Sequence, residues 1–148
     1  MHRYTVELRI VGENFDPDEV TRELGLMPTR MARKGQAKVE GAASKWTANM
    51  WGFEVLPSGG DGWSSLEDGV ASLLHVFSSL HDRLHVYSMS NKICVWCGHF
   101  TSSFDGGPTL SPTLLRSLGS FGVPLVLDTY CERTTEDTEP SEGLLARG

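Results

Sequence analysis

Apolar and polar positions alternate strictly at the start of the chain, with Tyr4, Val6, Leu8 and Ile10 set against Thr5, Glu7 and Arg9. A period of two predicts a half-buried strand, apolar on one face, which Gly12 ends. The next segment carries helix punctuation. Asp16 suits the N-cap, Pro17 the first helical position and Glu19 the third. Phe15 and Val20 have the spacing of a hydrophobic staple, and Val20 and Leu24 share a face. Gly25 supplies the stop and Pro28 prevents resumption. Residues 29–44 are polar, small and basic, with Arg33-Lys34-Gly35-Gln36 as a candidate short edge strand. Residues 45–56 return to strand character through Trp46, Met50, Trp51, Phe53 and Val55. Gly52 inside that run marks a bulge or a close approach.

After a turn cluster at 57–62, Ser64 and Glu67 have capping-box spacing. Leu66, Val70, Leu73, Leu74, Phe77, Leu80 and Leu84 then recur three and four apart. This predicts one long amphipathic helix lying on a sheet, with Gly69 weakening its first turn slightly. Residues 93–100, rich in β-branched and aromatic side chains, read as a buried strand. Ser111 and Pro112 open a third helix, with Leu114, Leu115, Leu118 and Phe121 as its inner face and Leu110 and Leu115 as its staple. Gly122 stops it, and residues 123–131 form the last strand. An acidic, flexible tail is expected over 132–148. The order of elements predicts one α+β domain over 1–131. Its sheet is mostly antiparallel with helices on one face, in a ferredoxin-like βαββαβ core plus an appended helix and strand.

Composition narrows the function classes. The chain has 148 residues, enough to bury a core without metal or disulfide staples. Hydrophobic content of 39% and charged content of 22% fit an ordinary globular domain. No apolar run reaches membrane-span length, and the N-terminus runs straight into a strand without a signal-peptide pattern, so a cytoplasmic protein is expected. A net charge of −6 argues against direct nucleic-acid binding and suits a basic protein partner. Solubility alone is the simpler account of such a charge, since modest net charge is normal for small domains.

Catalytic chemistry finds little purchase. Cys94-Val95-Trp96-Cys97 lies within a strand, where residues three apart point to opposite faces, and lacks the helix N-terminus that activates a redox thiol. A zinc site there would need His99 and Cys131. Core cysteines are the simpler reading, and an odd count of three argues against a disulfide framework. His81 and His85 are four apart without the glutamate of a zinc-protease motif, and Gly59-Gly60-Asp61-Gly62 lacks the lysine of a phosphate loop. No catalytic set, metal or cofactor is expected. The chemistry-bearing feature is a local positive patch: Arg30, Arg33, Lys34, Lys38 and Lys45 have one acid nearby, Glu40. Arg33 and Lys34 can hold an anion or an acidic side chain, with Trp46 or Trp51 stacking on a guanidinium. A solvated loop that protects an edge strand is the competing reading. Asp128, an acid in an apolar strand, either faces water or pairs with a buried partner, for which Arg33 is a candidate.

Asp16-Pro17 with Thr21, Leu24-Gly25, Pro28-Thr29, Arg33-Lys34-Gly35, Trp46 and a closing Gly122 with Leu125, Leu127, Asp128 and Tyr130 resemble a bacterial family known as domain of unknown function 4279. The resemblance spans roughly residues 5–131. It implies a small, cytoplasmic, single-domain α+β protein, similar in style to the immunity proteins encoded beside secreted toxins. The expectation is therefore a non-enzymatic, protein-binding domain of the immunity type that occludes a basic toxin. The alternative is a small-ligand or anion-binding module built on Arg33, Lys34 and Trp46. Arg30, Arg33, Lys34, Trp46 and Asp128 are the candidate contact residues.

Overall fold

Alternation at the N-terminus leaves one strand face apolar, and that strand becomes the centre of the sheet. In the computed structural model, which describes residues 1–132, β1 (His2–Gly12) buries Tyr4, Val6, Leu8 and Ile10. The other strands are β2 (Arg30–Ala32), β3 (Asn49–Val55), β4 (Lys92–Thr101) and β5 (Leu125–Cys131). They lie in the order β2-β3-β1-β4-β5. The β1–β3, β1–β4 and β2–β3 pairs are antiparallel, and β4–β5 is parallel. Thus β3 sits between β1 and β2, and β1 sits between β3 and β4. That interlocking is the ferredoxin-like split βαβ arrangement, with the last helix and β5 appended.

The helices are α1 (Pro17–Leu24), α2 (Leu66–Val76), α3 (His81–Ser88) and α4 (Pro112–Phe121). They form because their caps are written locally. Asp16 accepts from the Asp18 N–H, and Ser111 from the Leu114 N–H. Gly25 and Gly122 close α1 and α4 at φ 67° and 77°, a left-handed geometry that glycine adopts freely. Packing contacts run from α1 to β3, α2 to β1 and β3, α3 to β4, and α2 to α4. Val20, Val70, Leu73, Phe77 and Leu84 meet the apolar row of the sheet. Gly69 allows the closest of these contacts. A Cβ there would lie 2.7 Å from Val6 Cγ2, so α2 rests on β1 only because residue 69 has no side chain.

Several expectations need correction. The long helix is two helices: α2 ends at Val76 and α3 starts at His81. Ser78 donates through Oγ to the His75 carbonyl at 2.8 Å, the kind of local hydroxyl–backbone bond that competes with a continuing helix. The cap of α2 is Ser65, bonded to the Asp68 N–H, rather than Ser64. Leu115 is 51% exposed and contributes nothing to the inner face of α4. The short edge strand occupies 30–32 rather than 33–36. At 33–36 the chain turns, with the Gln36 N–H on the Arg33 carbonyl and Gly35 at φ 87°. Residues 45–48 belong to that excursion, since Trp46 exchanges backbone bonds with Gly35 and Gln36, so β3 begins at Asn49. The expected tail beyond 132 lies outside the described residues. Among the described residues no helix is long and apolar enough to cross a membrane.

Candidate contact face on the open side of the sheet

The register that buries one face displays the other. Among the described elements no helix packs on this second face, and its residues fall into cross-strand rows. One row is Arg30, Gly52, Arg9 and Cys94. The next is Glu54, Glu7, Trp96 and Val126, followed by Thr5, Gly98 and Asp128, then Arg3, Phe100 and Tyr130.

At its centre stands Glu7, only 4% exposed. Its carboxylate accepts from Arg9 Nε, from Arg30 Nε at 3.1 Å and from an Arg30 terminal nitrogen at 2.7 Å. A buried carboxylate needs such partners, and these charge-assisted bonds supply them. Gly52 makes the convergence possible, because a Cβ at that position would lie 3.0 Å from the Glu7 carboxyl carbon. Arg9 also stacks on Trp96, its guanidinium carbon 3.9 Å from the ring centroid. Trp96 in turn donates its Nε1–H to Asp128 at 2.8 Å. Arg3 covers the Phe100 ring at 4.5 Å, and Phe100 stacks on Tyr130 at 5.3 Å. Gly98 lies beneath, since a Cβ there would meet Phe100 Cε2 at 2.9 Å and Trp96 Cη2 at 3.0 Å. The result is a layer of arginine and aromatic side chains folded onto the sheet. It leaves a pocket of about 240 Å³ among Thr5, Glu7, Arg9, Arg30, Glu54, Trp96 and Phe100.

The positions singled out from sequence are not one cluster. Arg33 is paired with Asp16 and Asp18, and Lys34 with Glu13, so both cations tie the basic loop to the start of α1. The Lys34 N–H also donates to the Asn49 side chain at 2.8 Å, and Asn49 donates to the Phe15 carbonyl at 2.9 Å. Trp46 is bonded through its backbone to Gly35 and Gln36, next to these cations, but its ring has other neighbours. It is approached by Lys38 at 5.3 Å and shares with Arg30, Ala32 and Met50 an open pocket of about 390 Å³. Arg30 is drawn into the Glu7 cluster. Asp128 pairs with the Trp96 indole, and Arg33 is not its partner.

Cysteine and histidine positions follow the strand geometry. Cys97 is fully buried and burial pushes its thiol up to about 12. Cys94, on the opposite face, is half-buried and its thiol is also raised by burial. His99 is buried in a bonded chain. The Asp105 carbonyl accepts from His2 Nε2 at 2.8 Å, leaving His2 Nδ1 to accept from His99 Nε2 at 2.9 Å and His99 Nδ1 to accept from Thr129 Oγ1 at 3.3 Å. Burial, helped by the neighbouring His2, holds His99 below its ordinary value. Among the described residues no group of three or more metal-ligating side chains forms.

Sequence reasoning missed the Glu7–Arg9–Arg30–Trp96 cluster, since Glu7 and Arg9 read only as the solvent side of an alternating strand. The available signal was glycine inside strands. Gly52 and Gly98 each mark a place where another side chain lies against the backbone.

No curated protein and no solved structure matches the chain. The profile of the family described as Domain of unknown function (DUF4279) matches residues 2–132. That match runs from the first residue of β1 to the residue after β5, and the chain belongs to this family.

Proposed function

We propose that this is a protein-binding domain whose open sheet face is its contact surface, acting as an immunity-type protein that covers the active site of a basic toxin domain. One observation carries the reading: Trp96, Phe100 and Tyr130 lie with Arg3, Arg9 and Arg30 on a sheet face that no described helix packs against. Aromatic residues and arginine are the types enriched at the energetic centres of protein interfaces. Tyr130 is 47% exposed and Val126 39%, so the β5 side of the face offers apolar area. The net charge of −6 favours encounter with a basic partner. The anion-module alternative draws less support, because Arg33 and Lys34 are already paired with carboxylates.

The test is binding to the product of the adjacent reading frame, with growth rescue when that product is toxic. The wild-type chain is expected to bind and rescue. Tyr130→Ala, at an exposed position, is expected to weaken binding by about tenfold or more. Absence of binding and rescue, or full rescue by a Tyr130→Ala, Arg3→Ala double variant, overturns the reading.

A further inference from the structure

On this face one carboxylate has no partner among the described residues. Glu54 stands directly opposite Glu7 in the β1–β3 register. Glu7 is answered by Arg9 and Arg30, whereas the Glu54 side chain makes no hydrogen bond or ion pair to the described residues; only its backbone N–H is engaged, on Thr29 Oγ1. The Arg30 guanidinium, whose charge reaches Glu54, has already committed Nε and a terminal nitrogen to Glu7. Like charges placed opposite each other across a strand pair are destabilising. Burial raises the Glu54 carboxyl above its usual range and the Glu7 charge adds to this, while Arg30 and Arg3 oppose it. Glu54 lines the pocket of about 240 Å³ whose other walls include Trp96, Phe100 and Thr5. Thr5 Oγ1 is itself buried without a hydrogen-bond partner. A fold that places an unanswered charge beside an answered one, in a recess with aromatic walls, breaks a local rule without gain to itself.

We propose that Glu54 is the receptor for a cationic side chain, an arginine or lysine of a basic protein partner, which enters this recess with its methylene stem against Trp96 and Phe100. The proposal rests on the open face being the contact surface and names what that surface recognises. A cation is favoured over an anion because Arg9 and Arg30 already share a carboxylate while Glu54 has no counter-ion among the described residues. The guanidiniums of Arg9 and Arg3 lie over the Trp96 and Phe100 rings, so these walls already accommodate cationic side chains. Pairing would give Glu54 the counter-charge that Arg9 and Arg30 already give Glu7.

The experiment is a carbon-13 NMR titration of the Glu54 carboxyl and Trp96 indole signals in the full chain. The probes are N-acetyl-arginine methylamide and its neutral citrulline counterpart. The arginine probe is expected to shift both signals saturably and to lower the Glu54 titration midpoint. Citrulline is expected to do neither, and Glu54→Gln to weaken the arginine response by about tenfold or more. An absent response, or one that persists in Glu54→Gln, overturns the proposal. So does a matching N-acetyl-glutamate probe that shifts the Arg9 and Arg30 Nε signals in its place. A silent probe alongside a partner complex that depends on Tyr130 removes only the Glu54 assignment. A responding probe alongside a complex indifferent to Tyr130 and Arg3 removes the interface reading and leaves the pocket.

Discussion

Replacing Glu7 by glutamine keeps the side-chain size and removes the charge on which two arginines converge. Glu7 is 4% exposed and holds Arg30 through two bonds and Arg9 through one. The Arg9 and Arg30 side chains are 22% and 47% exposed, so after the substitution both guanidiniums can turn toward water. The loss is then that of bonds to a charged acceptor, about 1.5–3 kcal/mol. It falls short of the ~3–5 kcal/mol expected when a charge is left buried and unpaired. At roughly 3 °C per kcal/mol for a chain of this size, Tm falls by about 5–9 °C. Glu54→Gln has the opposite sign: it removes the charge facing Glu7 and stabilises by about 0.2–1 kcal/mol. In the double variant the Glu54→Gln gain disappears, because the repulsion it relieved is already gone. Urea melts of the four proteins measure all three quantities. A Glu7→Gln variant as stable as the wild type, or a Glu54→Gln gain that persists without Glu7, refutes the reasoning.

Gly69→Ala places a Cβ 2.7 Å from Val6 Cγ2 and also against the Trp63 ring, and is expected to cost about 1–3 kcal/mol in a urea melt; a neutral outcome would mean that α2 does not seat on β1 as described. Thiol labelling under native conditions is expected to proceed at exposed Cys131 first and half-buried Cys94 later, with Cys97 reacting only on unfolding, since burial removes both access and thiolate. Mass spectrometry of the labelled chain reads the order, and rapid native labelling of Cys97 contradicts it. The depressed His99 gives a pH signature. Between the ordinary value of 6.5 and its lower folded value, the unfolded state binds the proton more readily, so His99's contribution is present above pH 6.5 and is lost as pH falls. The Tm advantage of the wild type over His99→Gln is therefore expected to shrink from pH 7 to pH 5, and a constant difference would exclude the neutral bonded chain.

What the sequence made legible is what local chemistry decides. The first strand follows from the alternation of Tyr4, Val6, Leu8 and Ile10, and the ends of α1 and α4 follow from Asp16-Pro17, Gly25, Ser111-Pro112 and Gly122. The break between α2 and α3 was not legible, because Phe77, Leu80 and Leu84 keep the helical spacing across it and all three pack on the core. Hydrogen bonding reveals the interruption: Ser78 turns back to the His75 carbonyl and the Leu80 N–H to the Phe77 carbonyl. The contact face was least legible. Its members come from every strand, so its rows exist only once the register is known. Arg33 and Lys34 drew attention as adjacent cations in sequence. Their partners Asp16, Asp18 and Glu13 sit 15 to 21 residues away, where chain folding rather than spacing brings them together.

Hydroxyl-radical footprinting of the chain, free and bound to the adjacent frame's product, tests the contact face most directly. Modification of Tyr130, Phe100 and Trp96 is expected in the free chain and protection in the complex, with Trp46, Val86 and Met89 equally modified in both. Protection confined to Trp46 or to Val86 and Met89, with Tyr130 and Phe100 unchanged, would place the contact on another surface and contradict the account.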